Sequence, residues 1–225
     1  MLILALDAST PVTTVALAES EERRVLAEIS VPSRRPLGGA SEALLPAVHA
    51  TLDLAGEELA AVGLVLCGVG PGTFTGIRIA ASTARALALG TGSALARNST
   101  LQALVAPALS CRPDVLAVLD ARRGEVFAQR FSADGPPLGI VCAKPDDLSV
   151  DGGPLVVGDG AVRYRGSLER LGCVPPDDSP LHWVTAVGHV MSADLAPVAA
   201  EELVPIYVRE PDAEVRRDLN PWGRS

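Results

Sequence analysis

Lysine is almost missing from this 225-residue chain: Lys144 is the only one among 19 basic residues, and the rest are arginine. Aromatic residues make up only 3%, which leaves the core to be built from Ala, Val, Leu and Ile. The four cysteines, Cys67, Cys111, Cys142 and Cys173, lie far apart and form no CxxC. That spacing argues against a disulfide framework or a zinc cluster and suits a reducing cytosol. The three histidines, His49, His182 and His189, make no HxxH, HExxH or HxxxH pair, so no helix-borne metal site is expected and all three read as structural. The first apolar run ends at Asp7 and no basic segment precedes it, too short for a signal peptide or a membrane span. A cytoplasmic protein with no membrane partner is expected.

Positive charge is also in deficit, with a net charge of −8. A chain that grips a nucleic-acid backbone unaided usually presents a basic surface, so this one is a poor candidate for that role. The arginine pairs Arg23-Arg24, Arg34-Arg35, Arg122-Arg123 and Arg216-Arg217 read mostly as solvated loop charge. What the chain does have is an ordinary globular balance, 48% hydrophobic and 20% charged residues, with length enough for one large domain or two small ones.

Three strands in quick succession are predicted at 2–6, 13–19 and 24–30, followed by a loop over 33–40. Ser41 can cap a helix running to Ala55, with Leu44, Leu45, Val48 and Leu52 on one side. Pro46 should kink that helix or mark its effective first turn. A buried strand at 63–69, a helix at 75–89, a short strand at 93–96 and a helix at 99–109 follow. The pattern then restarts, with two strands within 115–131 joined at a turn around Arg123-Gly124, a strand at 154–160 and helices at 161–171 and 183–194. This repeat argues for two α/β lobes, residues 1–110 and 111–208, with a polar, loosely ordered tail over 209–225.

The stretch GVGPGTFTG (68–76) is a strand-to-helix bend. A Walker A loop would place lysine after the last glycine; here Ile77 follows. A dinucleotide fingerprint would place glycine where Thr73 stands and an acid about 20 residues on, yet no Asp or Glu occurs from Leu59 to Pro113. The nucleophile elbow GxSxG is absent throughout. Such a bend can hold an anion weakly on its free N–H groups, though a simple tight turn is the plainer reading. The helix after it is apolar or small around most of its circumference, with Arg78, Ser82 and Arg85 in one narrow sector. Two of its sides should therefore be buried, one of them against a second helix or another protein. Asp7, in DAST, and Asp120, in VLDARRGEVF, are strand-end acids in two similar lobes. That is the arrangement of an actin-like ATPase binding a metal nucleotide through Asp7, Ser9, Thr10, Gly70, Gly72, Thr73 and Asp120.

LALDAST, SEALLP, GVGPGTFTGIRIA, LDARRGEVF and PIYVRE occur in the order and approximate spacing of the TsaB (YeaZ) family, and the resemblance covers nearly the whole chain. It implies the two-lobed fold of acetate kinases, Hsp70 and actin, each lobe a mixed sheet with helices. It also implies a non-catalytic dimerisation subunit of the bacterial machinery for threonylcarbamoyladenosine in tRNA. The partner would be a TsaD-type paralogue that transfers the threonylcarbamoyl group to N6 of adenosine 37. A TsaE-type ATPase would join the complex, and tRNA would be bound through the complex. ATP and the divalent metal would belong to those partners, with no cofactor on this chain and a homodimer as its state when alone. The docking surface would involve Ser41, Leu44, Leu45, Val48 and Leu52 of the first helix with Thr75, Arg78, Ile79, Ser82, Arg85 and Ala86 of the second. Ala84→Arg is expected to abolish pairing while leaving the fold intact. One departure from the family is Ala40, where a histidine commonly precedes the serine. The alternative is a small actin-like ATPase or kinase acting alone.

Overall fold

The structure is a computed structural model and describes residues 1–32, 39–133 and 135–209. The expected loop therefore lies largely outside the described residues, as do the tail beyond Arg209 and the pairs Arg34-Arg35 and Arg216-Arg217. Strands β1 (Leu2–Asp7), β2 (Val12–Glu19) and β3 (Arg24–Pro32) form an antiparallel meander, which β4 (Val62–Gly68) and β5 (Ala94–Asn98) extend in parallel beside β1. The sheet order is β3-β2-β1-β4-β5. A second sheet repeats this plan without the fifth strand: β6 (Asp114–Arg122), β7 (Glu125–Ser132), β8 (Val141–Ala143) and β9 (Leu155–Val157) lie in the order β8-β7-β6-β9.

The sheets belong to five layers. Helices α1 (Ala40–Ala55) and α2 (Phe74–Thr91) cover one face of the first sheet, where Leu4, Leu6, Val15 and Leu17 meet Leu44, Val48, Leu52 and the α2 alanines. The alternate residues Ile3, Ala5, Ala16 and Ala18 point the other way, as the two-residue strand period requires. They pack on α6 (Ala186–Ser192) through Ala186 and Val190. Helix α3 (Thr100–Leu109) covers the second sheet and also packs on α6, so α3 and α6 form the middle layer. At their crossing a side chain on Gly188 would collide with the Ala103 carbonyl. Helices α4 (Asp159–Arg163) and α5 (Arg165–Leu168) cover the outer face of the second sheet.

Several sequence expectations need correction. Gly39, not Ser41, occupies the N-cap of α1 and offers no side-chain cap; Ser41 lies inside the helix and exposed. Helix α1 runs through Pro46, whose missing N–H leaves the carbonyl of exposed Glu42 on the water side. The helix expected over 161–171 is two short ones broken at Tyr164, which adopts φ −114°, ψ 32°. The helix expected over 183–194 is confined to 186–192 behind a Thr185 cap, and it packs on the first sheet although it follows the second in sequence. The short edge strand β8 had no counterpart in the sequence reading. Arg23 is not simply solvated: it donates to the Val190 and Ala193 carbonyls at the C-terminal end of α6.

Candidate functional site

Asp7 ends β1 with no exposed surface, and both carboxylate oxygens are engaged inside the protein. One accepts the Ser9 backbone N–H at 2.5 Å. The other accepts the Thr100 hydroxyl at 2.9 Å and lies 2.7 Å from Nε2 of His189, itself fully buried on α6. Ser9 and Thr100 share a further hydroxyl hydrogen bond at 2.9 Å. Burial alone would push the Asp7 carboxyl up, yet the His189 hydrogen bond and charge, with the two Ser9 hydrogen bonds, hold it below the usual carboxylate range. Thr10 bonds within its own turn, to Val12. These residues therefore do not fit a metal-bound phosphate: the strand-end acid that would hold the cation is sealed behind His189.

The glycine bend closes over the same place. Thr73 N–H donates to the Ser9 carbonyl at 2.6 Å, and side chains on Gly72 or Gly76 would collide with the carbonyls of Ser9 and Ala8. Gly70 is buried, with φ +94°, and its carbonyl accepts the Thr100 N–H. The glycines thus let the start of α2 sit directly on the end of β1. Thr73 caps the helix, its hydroxyl accepting the Gly76 N–H.

Within this chain helix α2 buries the side formed by Ile77, Ala80, Ala81, Ala84 and Ala88, with Ile79 and Leu87 partly buried beside it. Arg85 donates to the carbonyls of Ala200 and Leu203, and Arg78 donates to the Tyr207 hydroxyl while its guanidinium lies 3.7 Å from the centre of the Phe74 ring. They hold a strap, residues 198–209, which Arg97 also grips at the Glu202 carbonyl. Val198 bridges to Leu95, Leu203 is buried in the first core, and Arg209 reaches Glu125 of β7 at 2.8 Å.

The sector of α2 left outward reads Thr75, Ile79, Ser82, Ala86, Leu89. All are exposed except Ile79, which is half-buried, and Leu89 is 88% exposed. The spacing is 4-3-4-3, that of a helix seam packing on another helix. Of the interface candidates on α1, Leu45 is exposed, whereas Leu44, Val48 and Leu52 belong to the chain's own core. Ala84 is fully buried, so Ala84→Arg would damage the fold and does not test an interface.

Gly72, Thr73 and Asp120 come together in a cleft of about 480 Å³ between the lobes; Asp7, Ser9, Thr10 and Gly70 do not line it. The Asp120 carboxylate is nearly buried and pairs with Arg122 at 3.2 Å and Arg163 at 3.4 Å. Asp159 accepts the Asp120 N–H, and its own carboxyl is pushed up by burial, with the Asp120 charge adding to the shift. The sequence reading gave no role to Thr100, Phe74 or Tyr207, and it read His189 as structural without its partner Asp7, which no local signal identifies; Leu89 fell at the end of the helix expected over 75–89.

The family described as TsaD: tRNA N6-adenosine threonylcarbamoyltransferase matches residues 39–147. A protein of Mycobacterium tuberculosis (strain ATCC 25618 / H37Rv) is 33% identical over 214 residues, covering 94% of this chain and 93% of that protein. The tRNA threonylcarbamoyladenosine biosynthesis protein TsaB of Escherichia coli (strain K12) is 34% identical over 136 residues, 60% of this chain and 56% of that protein. Among solved structures, YeaZ from Pseudomonas aeruginosa matches with a TM-score of 0.77 and 27% identity, over 92% of this chain and 99% of that one. The ethanolamine utilization protein EutJ from Carboxydothermus hydrogenoformans, 13% identical with a TM-score of 0.51 over 85% of this chain and 90% of its own, shares the fold alone. The fold is the two-lobed actin-like α/β fold, and the chain belongs to the TsaB/YeaZ family.

Proposed function

We propose that this chain is a non-catalytic subunit of the machinery that makes threonylcarbamoyladenosine in tRNA, pairing through α2 with a TsaD-type transferase. The observation that carries this reading is the outward seam Thr75–Ile79–Ser82–Ala86–Leu89, small and apolar, on a helix whose arginines are spent on the chain's own strap. Exposed Leu45 on neighbouring α1 adds to it. A stable interface of standard size buries about 800 Å² per partner, a reasonable area for two helices. When the partner is absent, the same seam would support a homodimer, since exposed apolar surface tends to be covered. ATP and the divalent metal of the reaction reside on the transferase and a TsaE-type ATPase, and tRNA binds through the assembly. An ATPase acting alone is disfavoured by the sealing of Asp7 behind His189. Among the described residues no helix is long and apolar enough to cross a membrane.

Light scattering of the chain, alone and mixed with the TsaD-type protein of the same organism, tests the reading. A stable heterocomplex is expected, lost in Ala86→Arg and in Leu89→Asp, both exposed and harmless to the fold. A complex that survives both substitutions places the interface elsewhere; no complex at concentrations well above micromolar counts against the pairing itself.

A further inference from the structure

We infer that the outward face of α6 is a second docking surface, and that its occupant is a basic amphipathic helix of another protein. The inference does not rest on pairing through α2. Most of α6 is spoken for inside the chain: Ala186 and Val190 pack on the first sheet, Gly188 lies against Ala103 of α3, His189 meets Asp7, and Ser192 accepts the Asn98 amide. Val187 and Met191, one turn apart, are left on the outward side. Val187 is half-buried and Met191 is 56% exposed. Trp183, two residues before the Thr185 cap, is 39% exposed at the other end of the helix. The seven residues of α6 span only about 10 Å, so one docked segment can reach both. The chain holds two methionines and two tryptophans in all, and it shows one of each here. These residue types are enriched where proteins meet.

Charge decides the occupant. The β2–β3 turn sits at the carbonyl end of α6, where Arg23 donates to Val190 and Ala193. It brings exposed Glu21 and Glu22 there, beside exposed Asp194, which accepts the Ala196 N–H. Arg24 adds no free cation, being paired with Glu19. Three carboxylates thus gather, with Arg23 as their near counter-charge, at the end of a helix that already carries partial negative charge. That placement works against the stability of α6, and local rules broken at such a cost are found at functional surfaces. A nucleic acid or an anionic membrane would be repelled from this face. A second copy of the chain would set carboxylates against carboxylates. A helix with apolar residues for Val187, Met191 and Trp183 and with Lys or Arg beside them satisfies both the apolar surface and the charge.

The probe is a synthetic amphipathic helix of about 18 residues, leucine on one face and arginine on the other, with a control that carries glutamate for arginine. In the full chain with Trp222→Phe, Trp183 is the one remaining tryptophan, and its fluorescence reports binding. Saturable binding of the arginine peptide below about 100 μM, with a blue shift of Trp183, is expected, and none of the glutamate peptide. Met191→Ser should weaken binding by about fivefold or more. Glu21→Lys/Glu22→Lys in the exposed turn should weaken it by about tenfold or more and flatten its salt dependence. Circular dichroism checks that each variant folds; if Met191→Ser does not, the turn variant decides. Leu89→Asp on α2 should change nothing, so failure here is distinguishable from failure of the pairing reading. Equal binding of the glutamate peptide, binding that both folded variants leave unchanged, loss in Leu89→Asp, or no binding up to about 1 mM overturns the proposal. So does self-association by light scattering that Met191→Ser abolishes, which would make a second copy the occupant.

Discussion

At the residue scale, Asp7 shows how a correctly located acid can be assigned the wrong partner. Its place at the end of the first strand was legible from LILALD, because an apolar run closing on an acid marks a strand end. Its chemistry was not legible, because the group that decides it, His189, lies 182 residues away. Removing one member of a buried pair leaves the other charged and uncompensated, at a cost of about 3–5 kcal/mol. His189→Ala should therefore lower the urea midpoint strongly, while a surface change such as His49→Ala should not. The pH dependence has a definite sign. Since the folded-state carboxyl of Asp7 lies below its unfolded value of about 4, the stabilisation is complete above that pH and lost as pH falls through the folded value. Acid unfolding curves of wild type and Asp7→Asn should converge at low pH and separate above it; parallel curves would show that the pair contributes nothing.

The elements divide by how local their causes are. Helix α2 was legible because its alanine and isoleucine spacing is helical over five turns, and its Thr73 cap and Gly92 stop are local signals. The β6–β7 hairpin was legible because Gly124 marks a tight turn between apolar runs. Helices α4 and α5 were not separable, since Gly160 and Gly166 weaken both and the break at Tyr164 leaves no sequence mark. The strap was the larger omission: PIYVRE was recognised as a motif, but nothing in it announces that arginines on α2 and β5 hold its backbone. Two predictions belong at this scale. Ala84→Arg forces a long cation into a fully buried site against the first sheet and should leave little folded protein, as read by thermal melting. Arg85→Ala removes two hydrogen bonds to strap carbonyls but none to the core. Faster hydrogen exchange confined to 198–206, with the core unchanged, is expected; uniform protection would mean that Leu203 and the Val198 bridge hold the strap without the arginine.

On the scale of the whole molecule, the strap ties the two lobes together at the mouth of the cleft. It leaves the first sheet at Val198, buries Leu203 in the first core and passes Phe74. Its end packs Val208 against the second core and pairs Arg209 with Glu125. Both partners of that ion pair are about one-third exposed, so solvent screening limits its worth to about 0–1 kcal/mol. A contact this weak contributes little to global stability, yet it sits where a small energy can shift a hinge. Glu125→Gln and Arg209→Gln should each leave the melting temperature nearly unchanged while widening the distribution of distances between spin labels placed on α2 and on β7. The double variant should add nothing to either single one, because the same contact is lost in all three. Additive widening would show that each residue holds the lobes by separate contacts, and unchanged distances would show that the middle layer of α3 and α6 alone sets the lobe angle.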